Sequence, residues 1–79
     1  MKKILFSGVA VDVDEKRVRE QLEPLGPVVE VNIIRDGDPN RPVVLVTMDI
    51  DDELTFRISS RVSHYWHDGN LITARVLPH

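Results

Sequence analysis

The sequence predicts an α+β fold in which two helices cover one face of a four-stranded antiparallel sheet. Four segments of the 79-residue chain alternate in hydrophobicity or are rich in valine and isoleucine, as strands are. Two other segments repeat apolar residues at helical spacing. Their order is strand, helix, strand, strand, helix, strand, which is the ferredoxin-like βαββαβ two-layer sandwich. One domain is therefore expected over residues 1–79, with one sheet face free of helices.

The amino-terminal third of the chain predicts the first strand and the first helix. Residues 3–9 alternate and then become more apolar, as a strand does, and Gly8 marks the end of that strand. Asp14 is a good N-cap residue, and Val13 and Val18 have the spacing of a hydrophobic staple. Gly26 and Pro27 end the helix. The residues expected to face the core from these two elements are Ile4, Phe6, Val18, Leu22 and Leu25.

The middle of the chain predicts a hairpin formed by residues 28–35 and residues 41–48. Segment 36–40, with the sequence DGDPN, consists of turn-forming residues. Segment 41–48, with the sequence RPVVLVTM, is the most apolar, so it is expected in the centre of the sheet beside the first strand. The residues expected to face the core from this hairpin are Val31, Ile33, Val44, Val46 and Met48.

The second helix and the last strand are predicted from the remaining residues. The acidic residues in 49–53 favour a helix start, and Leu54, Ile58 and Val62 lie four apart on one helical face. Residues 54–58 also alternate like a strand. Helix is favoured by the acidic start and by the length needed to reach the turn at 68–70. Residues 71–76 then form the last strand, with one face made of Ile72, Ala74 and Val76.

Composition limits the class of protein. A chain of 79 residues leaves little room for an internal active site, and without cysteine it has no disulfide or thiolate chemistry. No apolar run is long enough to cross a bilayer, and the amino terminus lacks the features of a signal peptide. A cytoplasmic protein without a membrane partner is expected. The net charge of −3 argues against a general affinity for nucleic acid, although it does not show where the charges lie.

Three segments resemble the RNA recognition motif (RRM) family. Residues 4–9 (ILFSGV) lie where that family has its short first-strand motif, and residues 41–48 lie where it has its octamer. Residues 25–28 (LGPV) resemble its junction between the first helix and the second strand. The resemblance covers residues 3–76 and implies the same fold. The family stacks bases on aromatic residues at positions occupied here by Leu5, Val43 and Leu45, and Pro42 replaces the usual octamer glycine. The chain therefore resembles an atypical member without the aromatic stacking residues.

The open sheet face has two candidate functions in this sequence. The first is weak binding of single-stranded RNA or DNA through basic and polar side chains, together with the motif positions. Its candidate residues are Lys3, Leu5, Ser7, Asn32, Arg41, Val43, Leu45, Thr47, Thr73 and Arg75. The second is a protein–protein contact or homodimer through an aliphatic patch. Its candidate residues are Leu5, Ile34, Val43, Leu45 and Leu71. A third possibility is that the face has no partner and that the fold is stable with this face exposed.

Enzymatic, metal and metabolite sites have weaker support. His64, His67 and Asp68 have the spacing of ligands on one helical face, but no fourth ligand is evident, so no metal is expected. The serines at 59, 60 and 63 lack a base or an oxyanion element, so no catalytic residue and no cofactor are expected. Small regulatory domains that bind metabolites between paired copies share the element order. They remain an alternative, although no glycine-rich loop follows the first strand.

Overall fold

The structure, a computed structural model, describes residues 1–62, 65–67 and 70–77, apart from the side chains of residues 61, 62, 65–67, 70 and 71. The elements are β1 (Lys2–Ser7), α1 (Glu15–Leu22), β2 (Val28–Ile34), β3 (Val43–Met48), α2 (Asp52–Val62), β4 (Tyr65–His67) and β5 (Asn70–Leu77). The strand order is β2-β3-β1-β5-β4, and all neighbours are antiparallel. The predicted ferredoxin-like sandwich is confirmed, with β3 and β1 in central positions.

One hydrophobic core lies between the sheet and the two helices. Ile4 pairs with Val46 and Phe6 pairs with Val44, so the core-facing side chains of the two central strands lie side by side. Leu22 of α1 and Ile58 of α2 are buried in the same cluster, which places both helices on one face of the sheet. The buried apolar residues of this core are Ile4, Phe6, Leu22, Val31, Val44, Val46, Met48 and Ile58. All eight were assigned to the core side from periodicity.

An aspartate side chain caps the amino-terminal end of each helix. The side chain of Asp14 accepts a hydrogen bond from the backbone N–H of Arg17 at 2.7 Å, which confirms the predicted N-cap of α1. Asp51 Oδ1 accepts from the backbone N–H of Leu54 at 2.8 Å and does the same at the start of α2. Phe56 is 71 % exposed on α2, while Ile58 is buried. Residues 54–58 therefore follow a helical pattern of burial, and the strand alternative is wrong.

Several predicted boundaries differ from those in the structure, and three of them have a clear position or cause. The third strand begins at Val43, two residues later than predicted, because the backbone N–H of Arg41 donates to Asp38 in a turn and Pro42 has no N–H to donate. The first strand ends at Ser7, since Gly8 adopts a positive φ of 80°. The second strand ends at Ile34 rather than at residue 35.

A short strand that periodicity did not predict follows α2. Residues Tyr65–His67 form β4, which pairs with β5 at the edge of the sheet. His67 therefore lies in a strand, and the helical spacing proposed for His64, His67 and Asp68 is wrong for that residue. His64 and Asp68 lie outside the described residues. Within the described part of the chain, no helix has the length and apolar character required to cross a membrane.

Candidate functional site

The face of the sheet opposite the helices, called the open face below, is defined by strand register. Leu5 of β1 pairs with Leu45 of β3 on one side and with Arg75 of β5 on the other. Paired residues point to the same face, and neighbours along a strand point to opposite faces. The side chains that share this register are Lys3, Leu5, Ser7, Glu30, Asn32, Ile34, Val43, Leu45, Thr47, Thr73, Arg75 and Leu77. Nine of the ten predicted nucleic-acid residues are in this set, and Arg41 is not.

Two cations project from adjacent strands of the open face. Lys3 pairs with Leu77, so Arg75, two residues earlier on β5, is its diagonal neighbour at a spacing of about 7–8 Å. Both residues are exposed. Within the described part of the chain, no ion pair includes either side chain. The two charges are therefore available to an anionic ligand.

Arg41 lies beside the open face rather than on it. Its side chain is 88 % exposed, and its Nε lies 3.9 Å from Asp38 Oδ2 in the loop between β2 and β3. The pair is long and largely solvated, so it contributes little and leaves Arg41 free to reorient. Arg41 is thus placed to contact a ligand only at the end of the sheet where β3 begins.

The predicted polar residues on the open face differ in accessibility. The hydroxyl groups of Ser7 and Thr73 are hydrogen-bonded to each other across β1 and β5. Thr47 is only 8 % exposed although its register is outward. Its cross-strand neighbours are Lys3 and Glu30, so longer side chains stand on both sides of it. The hydroxyl groups of Ser7 and Thr73 therefore already use part of their hydrogen-bonding capacity on each other. Thr47 offers a ligand little surface.

A carboxylate on the open face was missing from the predicted site. Glu30 is exposed on β2 opposite Thr47, and its Oε1 accepts a hydrogen bond from Asn32 Nδ2 at 3.1 Å. Among the residues that the structure describes, it is the only acidic one in the open-face register. The signal for this pair was present in the sequence, since residues two apart in a strand share a face. Asn32, which is predicted as a ligand contact, also orients Glu30 through this hydrogen bond.

The centre of the open face is aliphatic. Leu5, Val43 and Leu45 are half-buried, and Ile34 is 38 % exposed at the outer strand. Leu77, which was not predicted for this patch, extends it beside Lys3. The side chain of Leu71 lies outside the described part of the structure. Four of the five residues predicted for a protein interface therefore share this register.

Acidic residues are concentrated on the helix side. Lys2 points toward the helices and forms an ion pair with Asp52 at the start of α2. Arg57 Nη2 lies 2.8 Å from Glu53 Oε1 on the same helix. On α1, Arg19 Nε lies 3.0 Å from Glu15 Oε1. The basic residues named here are thus paired locally, whereas the described side chains of the open face include two cations and one carboxylate.

The described residues do not form a metal site. No group of three or more histidine, cysteine, aspartate or glutamate side chains converges among them. A shallow hollow at the junction of α1 and β2 is lined by residues of segments 19–28, away from the open face. Among the described residues, the candidate site is therefore a surface and not an enclosed pocket.

No family model matches the sequence, and a search of curated proteins found no match. Solved structures do match. The chain is similar to "Pes4 RRM3", with a TM-score of 0.83 and 10 % identity over 100 % of this chain and 94 % of that one. It is similar to "RNA Binding Protein PG1", with a TM-score of 0.82 and 17 % identity over 100 % and 96 %. For "Rna15 RRM with bound RNA (GU)" the TM-score is 0.74 and the identity 13 %, over 92 % and 79 %. These likenesses show that the chain has the fold of RRM domains.

Proposed function

We propose that this protein is a non-enzymatic module that binds single-stranded RNA, or DNA, weakly through the open face. Two exposed cations, Lys3 and Arg75, on adjacent strands of this face support the proposal. Within the described residues neither forms an ion pair, and only one carboxylate shares the face. Two structures with the same fold are named for RNA, one as an RNA-binding protein and one with RNA bound. A cytoplasmic location is expected for this module.

The affinity is expected to be low. Stacking of bases on aromatic rings contributes about 1–3 kcal/mol per base to sequence-tolerant binding of single strands. Leu5, Val43 and Leu45 supply aliphatic surface at these positions instead. Phosphate contacts then dominate, and dissociation constants near the non-specific range of about 10⁻⁴–10⁻⁶ M follow.

The test is a fluorescence-anisotropy titration with a short unstructured RNA at low and at moderate salt. Contacts from Lys3, Arg41 and Arg75 release about 0.7 counterions each, so affinity should fall roughly 20-fold between about 50 and about 200 mM salt. For the Arg75→Ala variant, the affinity should fall only roughly sevenfold over the same range of salt concentration. Lys16→Ala is the matched control, because Lys16 is exposed on α1, away from the sheet. If Arg75→Ala and Lys16→Ala reduce the affinity for RNA equally, the RNA does not bind the open face.

A second candidate function is self-association through the aliphatic patch. The observation that favours it is the contiguity of Leu5, Leu45 and Val43 in neighbouring strands, with Ile34 exposed beside them. A patch of this kind on a small domain commonly marks a protein contact.

Sedimentation velocity over a range of protein concentrations tests this second candidate. The double variant Val43→Thr with Leu45→Thr should lower any dimer population and leave the fold intact, because both side chains face away from the core. Val11→Thr is the control, since Val11 is 54 % exposed in a loop outside the sheet. A parent protein that is monomeric at high concentration would rule this candidate out.

A further inference from the structure

We infer that Glu30 is a specificity-determining residue that favours guanine over uracil at the β2 edge of the open face. This inference rests on the proposed function and adds a base preference to it. The open face, which we propose contacts a polyanion, carries this carboxylate on β2. Glu30 is exposed, and no ion pair includes it in the described part of the chain.

The Glu30 carboxylate is oriented but not saturated. Asn32 Nδ2 donates to Oε1 at 3.1 Å and restricts the rotation of the Glu30 side chain. An ionised carboxylate has about four acceptor sites, so most of its capacity remains open to a ligand. Asn32 also pairs across the strands with Leu45, which places aliphatic surface directly beside the two polar groups. A base lying over Leu45 would therefore present its edge to Glu30.

The chemistry of the base edges selects guanine. The Watson–Crick edge of guanine carries two adjacent donors, N1–H and N2–H, which match the two oxygens of one carboxylate. Adenine and cytosine place an acceptor nitrogen beside their amino group, so one carboxylate oxygen would face a lone pair. Uracil has a single N3–H between two carbonyl groups. Guanine is thus the base that uses both oxygens of Glu30 without repulsion.

The charge distribution across the sheet agrees with this orientation. Lys3 lies two strands from Glu30, at a distance of about 10 Å, and Arg75 lies one strand further. A nucleotide whose base edge contacts Glu30 would direct its sugar and phosphate toward these cations. The carboxylate then contacts donors, and the phosphate lies away from it.

The experiment compares three single-stranded RNAs of equal length by fluorescence anisotropy at low salt. One is all uridine, one has a single central guanosine, and one has inosine at that position, which removes the N2 amino group. The parent protein should bind the guanosine RNA about fivefold or more tightly than the all-uridine RNA, with the inosine RNA weaker than guanosine. Glu30→Gln should bring guanosine and uridine within about twofold of each other, because the amide offers one acceptor and one donor.

The control variant is Glu20→Gln, which removes the same charge from an exposed position on α1. It should retain the preference for guanosine. Equal binding of guanosine and uridine RNA by the parent, or a preference that survives in Glu30→Gln, would overturn the inference and leave the proposed function standing. Absence of binding to all three RNAs at low salt would overturn both.

Discussion

Replacing the aliphatic centre of the open face by aromatic residues should convert a weak nucleic-acid surface into a stronger one. The variant combines Leu5→Tyr, Val43→Phe and Leu45→Phe, the three positions at which the RRM family has stacking residues. Leu5 and Leu45 are direct cross-strand partners, with side chains about 4.5–5.5 Å apart at Cβ. Val43 lies about 6.6 Å along β3 from Leu45. Two adjacent platforms for bases would result.

The magnitude follows from stacking energies. One base stacked on one ring contributes about 1–3 kcal/mol, which is a factor of roughly 5–150 in the dissociation constant. The added ring volume should be tolerated, because all three side chains are only half-buried and face away from the buried core. A gain of fivefold or more for a short unstructured RNA at low salt is therefore expected, with a denaturation curve close to that of the parent.

The control for this variant is Val11→Phe, which adds an aromatic side chain at a loop position that is 54 % exposed and lies outside the sheet. Its affinity for RNA should equal that of the parent in the same anisotropy titration. A folded triple variant that binds RNA no more tightly than the parent would refute this prediction. An equal gain in RNA affinity for Val11→Phe and the triple variant would also refute it.

Three further predictions concern the framework that holds the open face. Asp14→Ala should lower the free energy of unfolding by about 1 kcal/mol in urea denaturation, because it removes the N-cap of α1. In the same assay Ile58→Ala should lower the free energy of unfolding by about 2–5 kcal/mol, because Ile58 is buried in the core. Phe56→Ala, at a 71 % exposed position, should lower it by less than about 0.5 kcal/mol. Arg35→Ala should accelerate amide exchange in the loop that joins β1 to α1, because its guanidinium donates to two backbone carbonyls there, each at 2.7 Å.

Strand periodicity was sufficient to predict which side chains share a face. The side-chain period of a strand is two, so one correct assignment, such as Ile4 toward the core, determines the orientation of Leu5 and its neighbours. The backbone hydrogen bonds within a turn, which determine where a strand begins, could not be predicted in the same way. Arg41 has the correct parity for the open face, but its N–H hydrogen bond to Asp38 keeps it in the loop. The three-residue strand Tyr65–His67 is too short to produce a periodic signal.

The accessibility of individual polar residues also depends on side-chain conformations that a sequence does not specify. Glu30 and Asn32 have the same parity on β2 and both face outward, yet their hydrogen bond requires two compatible rotamers. Thr47 also faces outward, and the side chains of its neighbours determine that it is 8 % exposed. Sequence patterns therefore predicted which strand side chains share the open face, apart from Arg41, and the structure was needed to identify which groups on it are accessible.

The two candidate functions of the open face predict opposite responses to salt. Binding of a polyanion by Lys3 and Arg75 releases counterions and weakens as salt concentration rises. Association through Leu5, Val43 and Leu45 buries apolar surface, which sulfate and similar salts strengthen. Both groups of residues occupy one face, so a homodimer through the patch would cover the cations and compete with RNA. RNA binding that rises when Val43→Thr and Leu45→Thr suppress a dimer would show that both functions use the open face. RNA binding that is unchanged by these substitutions, in a protein that does dimerise, would place the dimer contact elsewhere.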